Sequence, residues 1–421
     1  MEYKKIEKGS YNLHFIKTDK FKTTTVSVNF REPIKKEDIT KRKLLFQMLT
    51  ASTKNYNTSR LIEIKLEDLY SAGISFSTIK FGAIINSYID LKFINQKYSD
   101  NKLLDEALDF LFEIIFSPNV IDNRFDEKVF KEEKERLSMI INSEKENTQK
   151  YTFNRALYLM DEKDPISYNL WGYQKDLDVI TEENLYTYYK ELLRTNLIDI
   201  FIVGDVDEDK IIKIFDEKFK INTLKRNRTE AFITYDKCPK EKNYTEELNI
   251  RQSHIAIICK ILNLSLFERR YVLPLYSSIL GGGGISRLFS NVREKESLAY
   301  TVMSMSNTPN SALLIYAGID LENYEKALKL IKKEIFLKNV TEKELNGAKK
   351  EMLSSVNTLL DSTSTIINYY FGMEVFKADD IDTKIEKINK VTISDIEALS
   401  KKMKIAMTYL LKGSKNEKRN N

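Results

Sequence analysis

Residues 281–300 read GGGGISRLFSNVREKESLAY. Four consecutive glycines, Gly281, Gly282, Gly283 and Gly284, stand together in a chain that has 13 in 421 residues. Phosphate cradling is the first chemistry to consider. A P-loop needs Gly-Lys-Ser/Thr opening the helix, whereas Gly284 is followed by Ile285-Ser286-Arg287. A dinucleotide fingerprint places its glycines between a strand and a helix, and here they follow the helical run LPLYSSIL. One glycine suffices to end a helix. Four point to backbone mobility, or to close approach by a ligand chain. The remaining inventory is short. The two histidines, His14 and His254, each lie in a strand-like run, so a histidine-rich metal site or a histidine-centred triad has at most two candidates. Ser253 precedes His254, but neighbours in an alternating strand point to opposite faces. Cys238 and Cys259 make no disulfide framework and suit a reducing cytoplasm.

The elements that must position these residues are bounded by composition. The apolar fraction is 42% and the charged fraction 31%, which describes a water-soluble globular chain long enough for two or three domains. Net charge is +5, with basic and acidic residues interleaved, which argues against a nucleic-acid surface. No apolar run approaches the roughly 18 residues that would suggest a membrane helix. The N-terminal Met1-Glu2-Tyr3-Lys4-Lys5 has no apolar stretch behind its lysines, so no secretory signal is expected.

Hydrophobic period reveals the same elements twice in the same order. The first copy has an alternating strand at 24–30, a helix at 43–51, a strand at 87–94 and an amphipathic helix at 103–116. The second has a strand at 254–261, a helix at 268–280, the strand SALLIYAGI and a helix at 324–336. Val26 and Val28 match Ile255 and Ile257, Ala107-Leu108 matches Ala327-Leu328, Thr181 matches Thr392, and Gly204 matches Gly413. The slow drift in offset is what loop insertions and deletions produce. Each copy reads as α+β, a mostly antiparallel sheet packed with helices. The expected organisation is a first domain at 1–222, a charged linker at 223–250 that includes Lys225-Arg226-Asn227-Arg228, a second domain at 251–413 and a frayed tail at 414–421.

Two such copies, a glycine-rich turn after a helix, and the run SRLFSNVREKESLAYTV resemble the M16 family of zinc metallopeptidases (pitrilysin/insulinase, processing-peptidase-like). QSHIAI at 252–257 looks like the strand opening that family's second domain, and TEENLYTYYKELLRTNLIDIFIVGDVD at 181–207 looks like the end of its first. The resemblance spans nearly the whole chain. It implies a zinc site built from an inverted His-x-x-Glu-His motif on the first helix of the first domain, with a glutamate from a later helix. Here the motif positions fall on Lys43, Phe46 and Gln47, and the late glutamate's region offers Met139 and Ile140, with Glu144 and Glu146 nearby. A cation, an aromatic ring and an amide do not make a zinc site, so no metal is expected in this chain.

The resemblance also implies an arginine and a tyrosine, seven residues apart in the second domain, that orient substrate and stabilise the oxyanion. Arg293 and Tyr300 stand at those positions. A guanidinium offers a rigid fork of donors and a phenol donates to developing negative charge. Residues 281–284 would then form a substrate-handling edge. The family's strand-addition site maps onto AGISFSTIKFGAIINSY, which keeps Gly73 but has Ser77-Thr78 where Asn-Ala is usual. The expectation is a zinc-less subunit, cytoplasmic and free of membrane or nucleic acid. Its homologous partner would carry His-x-x-Glu-His and zinc, and the pair would enclose a peptide substrate. The alternative is a non-catalytic peptide-binding or scaffold protein with no peptidase activity, a homodimer being one form of it.

Overall fold

The computed structural model describes residues 1–99, 102–221 and 229–414. The basic stretch Lys225-Arg226-Asn227-Arg228 and the tail after Ser414 lie outside the described residues. The chain divides into two compact units. The first comprises Met1–Asn142, Asn169–Glu230 and Leu360–Phe371; the second comprises Ser143–Tyr168, Ala231–Leu359 and Gly372–Asn421.

The first unit is built on strands β1 (Glu2–Glu7), β2 (Asn12–Lys17), β3 (Thr23–Pro33), β4 (Gly73–Phe81) and β5 (Ile84–Ile94). A small hairpin, β6 (Val120–Ile121) and β7 (Arg124–Phe125), precedes β8 (Leu197–Gly204). The main sheet runs β1-β2-β8-β3-β5-β4, antiparallel except where β2 meets β8. The second unit has β9 (Lys242–Leu248), β10 (Ser253–Ile261), β11 (Thr301–Asn307), β12 (Ala312–Ile319) and β13 (Met403–Gly413), in the order β11-β12-β10-β13-β9. Only the β13–β9 pair is parallel. Leaving β1 aside, the two sheets share one topology: counted along the chain, the strands lie in the order 1-5-2-4-3 in both. Matched residues fall on matched elements. Val26 and Val28 face the core from β3 as Ile255 and Ile257 do from β10. Thr181 and Thr392 each close a capping box on the helix leading to β8 and to β13.

Each core lies between one sheet face and its helices. In the first unit the helices Ile39–Ala51, Leu103–Phe116 and Glu182–Thr195 supply Leu45, Leu108 and Leu185. In the second, Leu273–Gly281 and Tyr324–Ile335 supply Tyr276 and Ile331. The opposite face of each sheet is covered by a helix from the other part of the chain. Helix Thr148–Met160 packs Tyr151, Phe153 and Leu157 against Ala256, Ile258 and Tyr409 within the second unit. The first turns of helix Thr363–Phe376 cover the first sheet, where Thr25 donates to Thr363 at 3.0 Å.

Two features depart from the organisation expected as 1–222, 223–250, 251–413 and 414–421. Residues 143–168 and 360–371 are exchanged between the units, which periodicity cannot reveal because it reports neighbours along the chain only. Within 223–250, Lys242–Leu248 is strand β9. Its charged, exposed side chains are those of a protected sheet edge, and they read as loop. Among the described residues no helix is long and apolar enough to cross a membrane.

Candidate functional site

The glycine run divides into two pairs with different duties. Gly281 ends helix Leu273–Gly281, and a Cβ there would lie 2.5 Å from the backbone nitrogen of Ser304 on β11. At Gly282 it would lie 2.6 Å from Ser278 Cα. These two permit close packing. At Gly283 and Gly284 a Cβ would meet nothing within 4 Å. They border a cleft of about 240 Å³ with Ile285, Gly347 and Glu351. Ile285 beside them is 85% exposed, an unusual place for its side chain.

Beyond the glycines the chain is anchored by Arg287. Its Nε donates to Glu344 Oε1 at 2.6 Å and Nη2 to Oε2 at 3.1 Å, a two-pronged charge-assisted contact. Further bonds go to the carbonyls of Lys338 and Asn339. The Arg287 hydrogen bond, with help from Thr341, holds the Glu344 carboxyl down to about 2. A π-helical segment, Phe289–Lys295, follows, with Leu288 and Val292 buried beneath it.

Arg293 lies on the exposed side of this segment, its guanidinium carbon 4.9 Å from the Phe289 ring centre. The chain then turns through Ser297, which adopts a left-handed φ of 50°. Leu298 and Ala299 insert into the core. Tyr300 emerges 55% exposed, its backbone N–H bonded to Gly318 O. Its hydroxyl donates to Asp320 Oδ2 at 2.7 Å. Arg293, Tyr300 and Asp320 line one surface cleft of about 370 Å³. Five donors, a phenol and a carboxylate at one cleft suit a polar chain with amide carbonyls and N–H groups.

The positions matched to a zinc motif behave differently. Lys43, Phe46 and Gln47 are all buried on helix Ile39–Ala51. The Lys43 ammonium stands 4.2 Å from the Trp171 ring centre and 5.1 Å from that of Phe76, within cation–π reach of both. Phe46 packs on Phe30. Gln47 Oε1 is buried with no hydrogen-bond partner. A divalent cation does not fit here: a fixed positive charge holds one ligand position, and the single buried amide oxygen is a weak donor to zinc. Of the late-glutamate candidates, Met139 is exposed, and Glu144 and Glu146 belong to the second unit. Glu133 on helix Glu127–Asn142 is buried, with Oε2 unpartnered, and burial raises its carboxyl. Sequence reasoning passed over Glu133, and also Trp171, although the latter is the one tryptophan of the chain.

The histidines serve the sheets. His14 is buried against Asp199 at 3.2 Å, and Tyr3 OH lies 2.9 Å from its Nδ1. His254 meets Tyr316 OH at 2.8 Å, and burial lowers it to about 4. Both cysteines are free thiols. Strand β4, which carries Ser77 and Thr78, pairs with β5 alone and so forms a sheet edge.

A family model described as the Peptidase M16 inactive domain matches residues 180–352, which contain the glycine run, Arg293 and Tyr300. A Bacillus subtilis protein named "Probable inactive metalloprotease YmfF" is 27% identical over 420 residues, 97% of either chain. Residues 180–352 are thus similar to the M16 peptidase family. A second relative, "Non-peptidase homolog YmxG" of Helicobacter pylori, is 24% identical over 365 residues, 84% of this chain and 80% of that one. The crystal structure of a conserved protein from Enterococcus faecalis V583 is similar with a TM-score of 0.90 and 28% identity, covering 99% of this chain and 100% of that chain. The chain is therefore similar to inactive-type M16 homologues.

Proposed function

We propose that this chain is the zinc-less subunit of a two-chain M16-type peptidase, completing a homologous partner's active site in trans through Arg293 and Tyr300. The observation that carries this reading is an asymmetry. Arg293 and Tyr300 share one solvent-facing cleft, whereas Lys43 occupies a metal-motif position with its charge against the rings of Trp171 and Phe76. The partner would carry His-x-x-Glu-His and hold zinc, which supplies Lewis acidity and an activated water. In this chain Arg293 orients the substrate's carbonyls and Tyr300 donates to the developing oxyanion. Gly283 and Gly284 form a side-chain-free edge along which an extended peptide passes. Free thiols at Cys238 and Cys259 support a cytoplasmic setting.

A second reading is a non-catalytic peptide-binding or scaffold protein, monomeric or homodimeric. The bond from Tyr300 to Asp320 favours it, since the phenol already has an acceptor. Names such as "Non-peptidase homolog" among the relatives favour it too.

The deciding experiment mixes the purified chain with a zinc-bearing M16 homologue from the same cell and follows cleavage of a fluorogenic peptide library. Activity that needs both chains, and that falls about a hundredfold in Tyr300→Phe as expected for loss of an oxyanion donor, supports the trans reading. Equal activity with wild-type, Arg293→Ala and Tyr300→Phe chains refutes it. Peptide binding without turnover in any mixture establishes the second reading.

A further inference from the structure

Three glycines of the second unit stand around one cleft although the fold does not require them. Gly283 and Gly284 border the space of about 240 Å³, and Gly347 lines it from within helix Glu342–Asn357. None of the three has a left-handed φ. A Cβ would meet nothing within 4 Å at Gly283 or Gly284. At Gly347 it would meet only Ile285 Cδ1, at an ordinary contact distance of 3.6 Å. Gly281 is different, since Ser304 leaves no room for a side chain there. Glycine inside a helix is unfavourable relative to alanine, so Gly347 forgoes stability that its surroundings would permit. What the three positions share is the cleft, which side chains there would narrow. Ile285 lines it too and is 85% exposed, where isoleucine is ordinarily buried.

The polar side chains at this cleft are already matched. Ser278 Oγ donates to Glu351 at 2.6 Å, and Ser286 Oγ to Gly283 O at 2.6 Å. Both Glu344 oxygens are held by Arg287. The backbone is not matched: the N–H groups of Gly283, Gly284 and Ile285 meet no acceptor among the described residues. Three adjacent donors call for acceptors. Glu344 and Glu351 line the cleft and no basic side chain does, so a phosphate or carboxylate acceptor is repelled. An amide carbonyl supplies the acceptor without the charge. The rest of the wall, Ile279, Ile285 and Ala348, is hydrocarbon. The space equals roughly eight waters at ~30 Å³ each, close to the bulk of one leucine residue.

We propose that this cleft is a subsite for one aliphatic side chain of a bound peptide, of the size of leucine, isoleucine or methionine. The neighbouring peptide carbonyls accept from the N–H groups of Gly283, Gly284 and Ile285. Gly347 keeps the subsite open, and Ile285 is covered when it fills. The inference rests on the peptide path along Gly283 and Gly284 proposed above, and it names the substrate class: peptides with a mid-sized aliphatic residue, rather than acidic or basic ones.

Fluorescence polarisation of the full chain tests this with the labelled peptides fluorescein-Ser-Ala-Ser-Ala-X-Ala-Ser-Ala-Ser-amide, where X is leucine, alanine, tryptophan, lysine or glutamate. The leucine peptide is expected to bind at least about tenfold tighter than the alanine peptide, as burial of its extra carbons implies, and tighter than the other three. Gly347→Ala should raise the urea midpoint yet reduce the leucine-over-alanine preference severalfold. Gly347→Leu occupies the subsite and should abolish that preference. Ile285→Ser removes a wall that is already exposed, so it should weaken the leucine peptide about tenfold with the urea midpoint unchanged. Tightest binding of the lysine or glutamate peptide, or a leucine preference that survives both Gly347→Leu and Ile285→Ser, would overturn the proposal. Equal binding of all the peptides would remove the subsite and leave the peptide path standing. Binding of none would remove both. A leucine preference without partner-dependent cleavage would keep the subsite and refute the trans reading alone.

Discussion

The hydroxyl of Tyr300 donates to Asp320 at 2.7 Å, on the rim of the cleft that Arg293 also lines. Asp320 is exposed and comes just after β12, so its removal should leave the fold alone, within about 0.5 kcal/mol in urea unfolding. Asp320→Ala is expected to lower partner-dependent kcat severalfold with KM unchanged, because the phenol loses the contact that fixes its ring. A raised kcat would instead identify Asp320 as a restraint on Tyr300.

The buried helix Ile39–Ala51 resists conversion into a metal site. Lys43→His, Phe46→Glu and Gln47→His together would restore the motif in letters. Phe46 is fully buried against Phe30, so a glutamate there would place a carboxylate in hydrocarbon, at a cost of about 3 kcal/mol or more. The triple variant is expected to unfold at much lower urea and to bind less than one zinc per chain by metal analysis. A stably folded variant with stoichiometric zinc would contradict this.

Acid should destabilise the second unit in two stages. Burial lowers His254 from 6.5 to about 4, so the unfolded chain takes up that proton first. Stability therefore falls as pH drops from about 6.5 to about 4. The Arg287 contact lowers Glu344 from 4.5 to about 2; its contribution is complete above 4.5 and is lost as pH falls through 2. Urea midpoints measured across pH should lose the upper stage in His254→Gln and the lower stage in Glu344→Gln. Identical pH profiles for all three proteins would count against both assignments.

Alanine scanning of the glycine run should split it in two. Gly281→Ala forces a methyl against Ser304 and should cost about 1–3 kcal/mol, as overpacking does. Gly284→Ala meets open space and should be neutral, or stabilising by up to about 1 kcal/mol through the unfolded state. If stability were to drop equally in both, the run would be a single packing device. Peptide cleavage or binding should instead respond to Gly283 and Gly284.

Much of this was legible along the chain. The apolar alternation of Val26 and Val28 acts locally and announced its strand, and Thr181 and Thr392 were legible as matched positions of the two copies. Arg293 and Tyr300 were implied by the resemblance to M16 peptidases, and the structure brings both to one cleft. Three things were hidden. The π-helical winding of Phe289–Lys295 depends on how Leu288 and Val292 pack, and Trp171 reaches Lys43 from a loop with no period. The cover that residues 363–371 place over Ser27 and Asn29 was hidden too, because nothing nearby in the sequence of the alternating strand at 24–30 reveals it.

That late cover bears on how the molecule is made. The first sheet has all its strands once β8 leaves the ribosome, but its outer face waits for Thr363 and Phe371, which arrive only after β9 to β12 have been synthesised. Helix Thr148–Met160, conversely, emerges long before the sheet it belongs to. Neither unit can mature on the nascent chain by itself, so their completion is coupled in time, and a fragment ending near residue 222 is expected to be a poor substitute for the first unit.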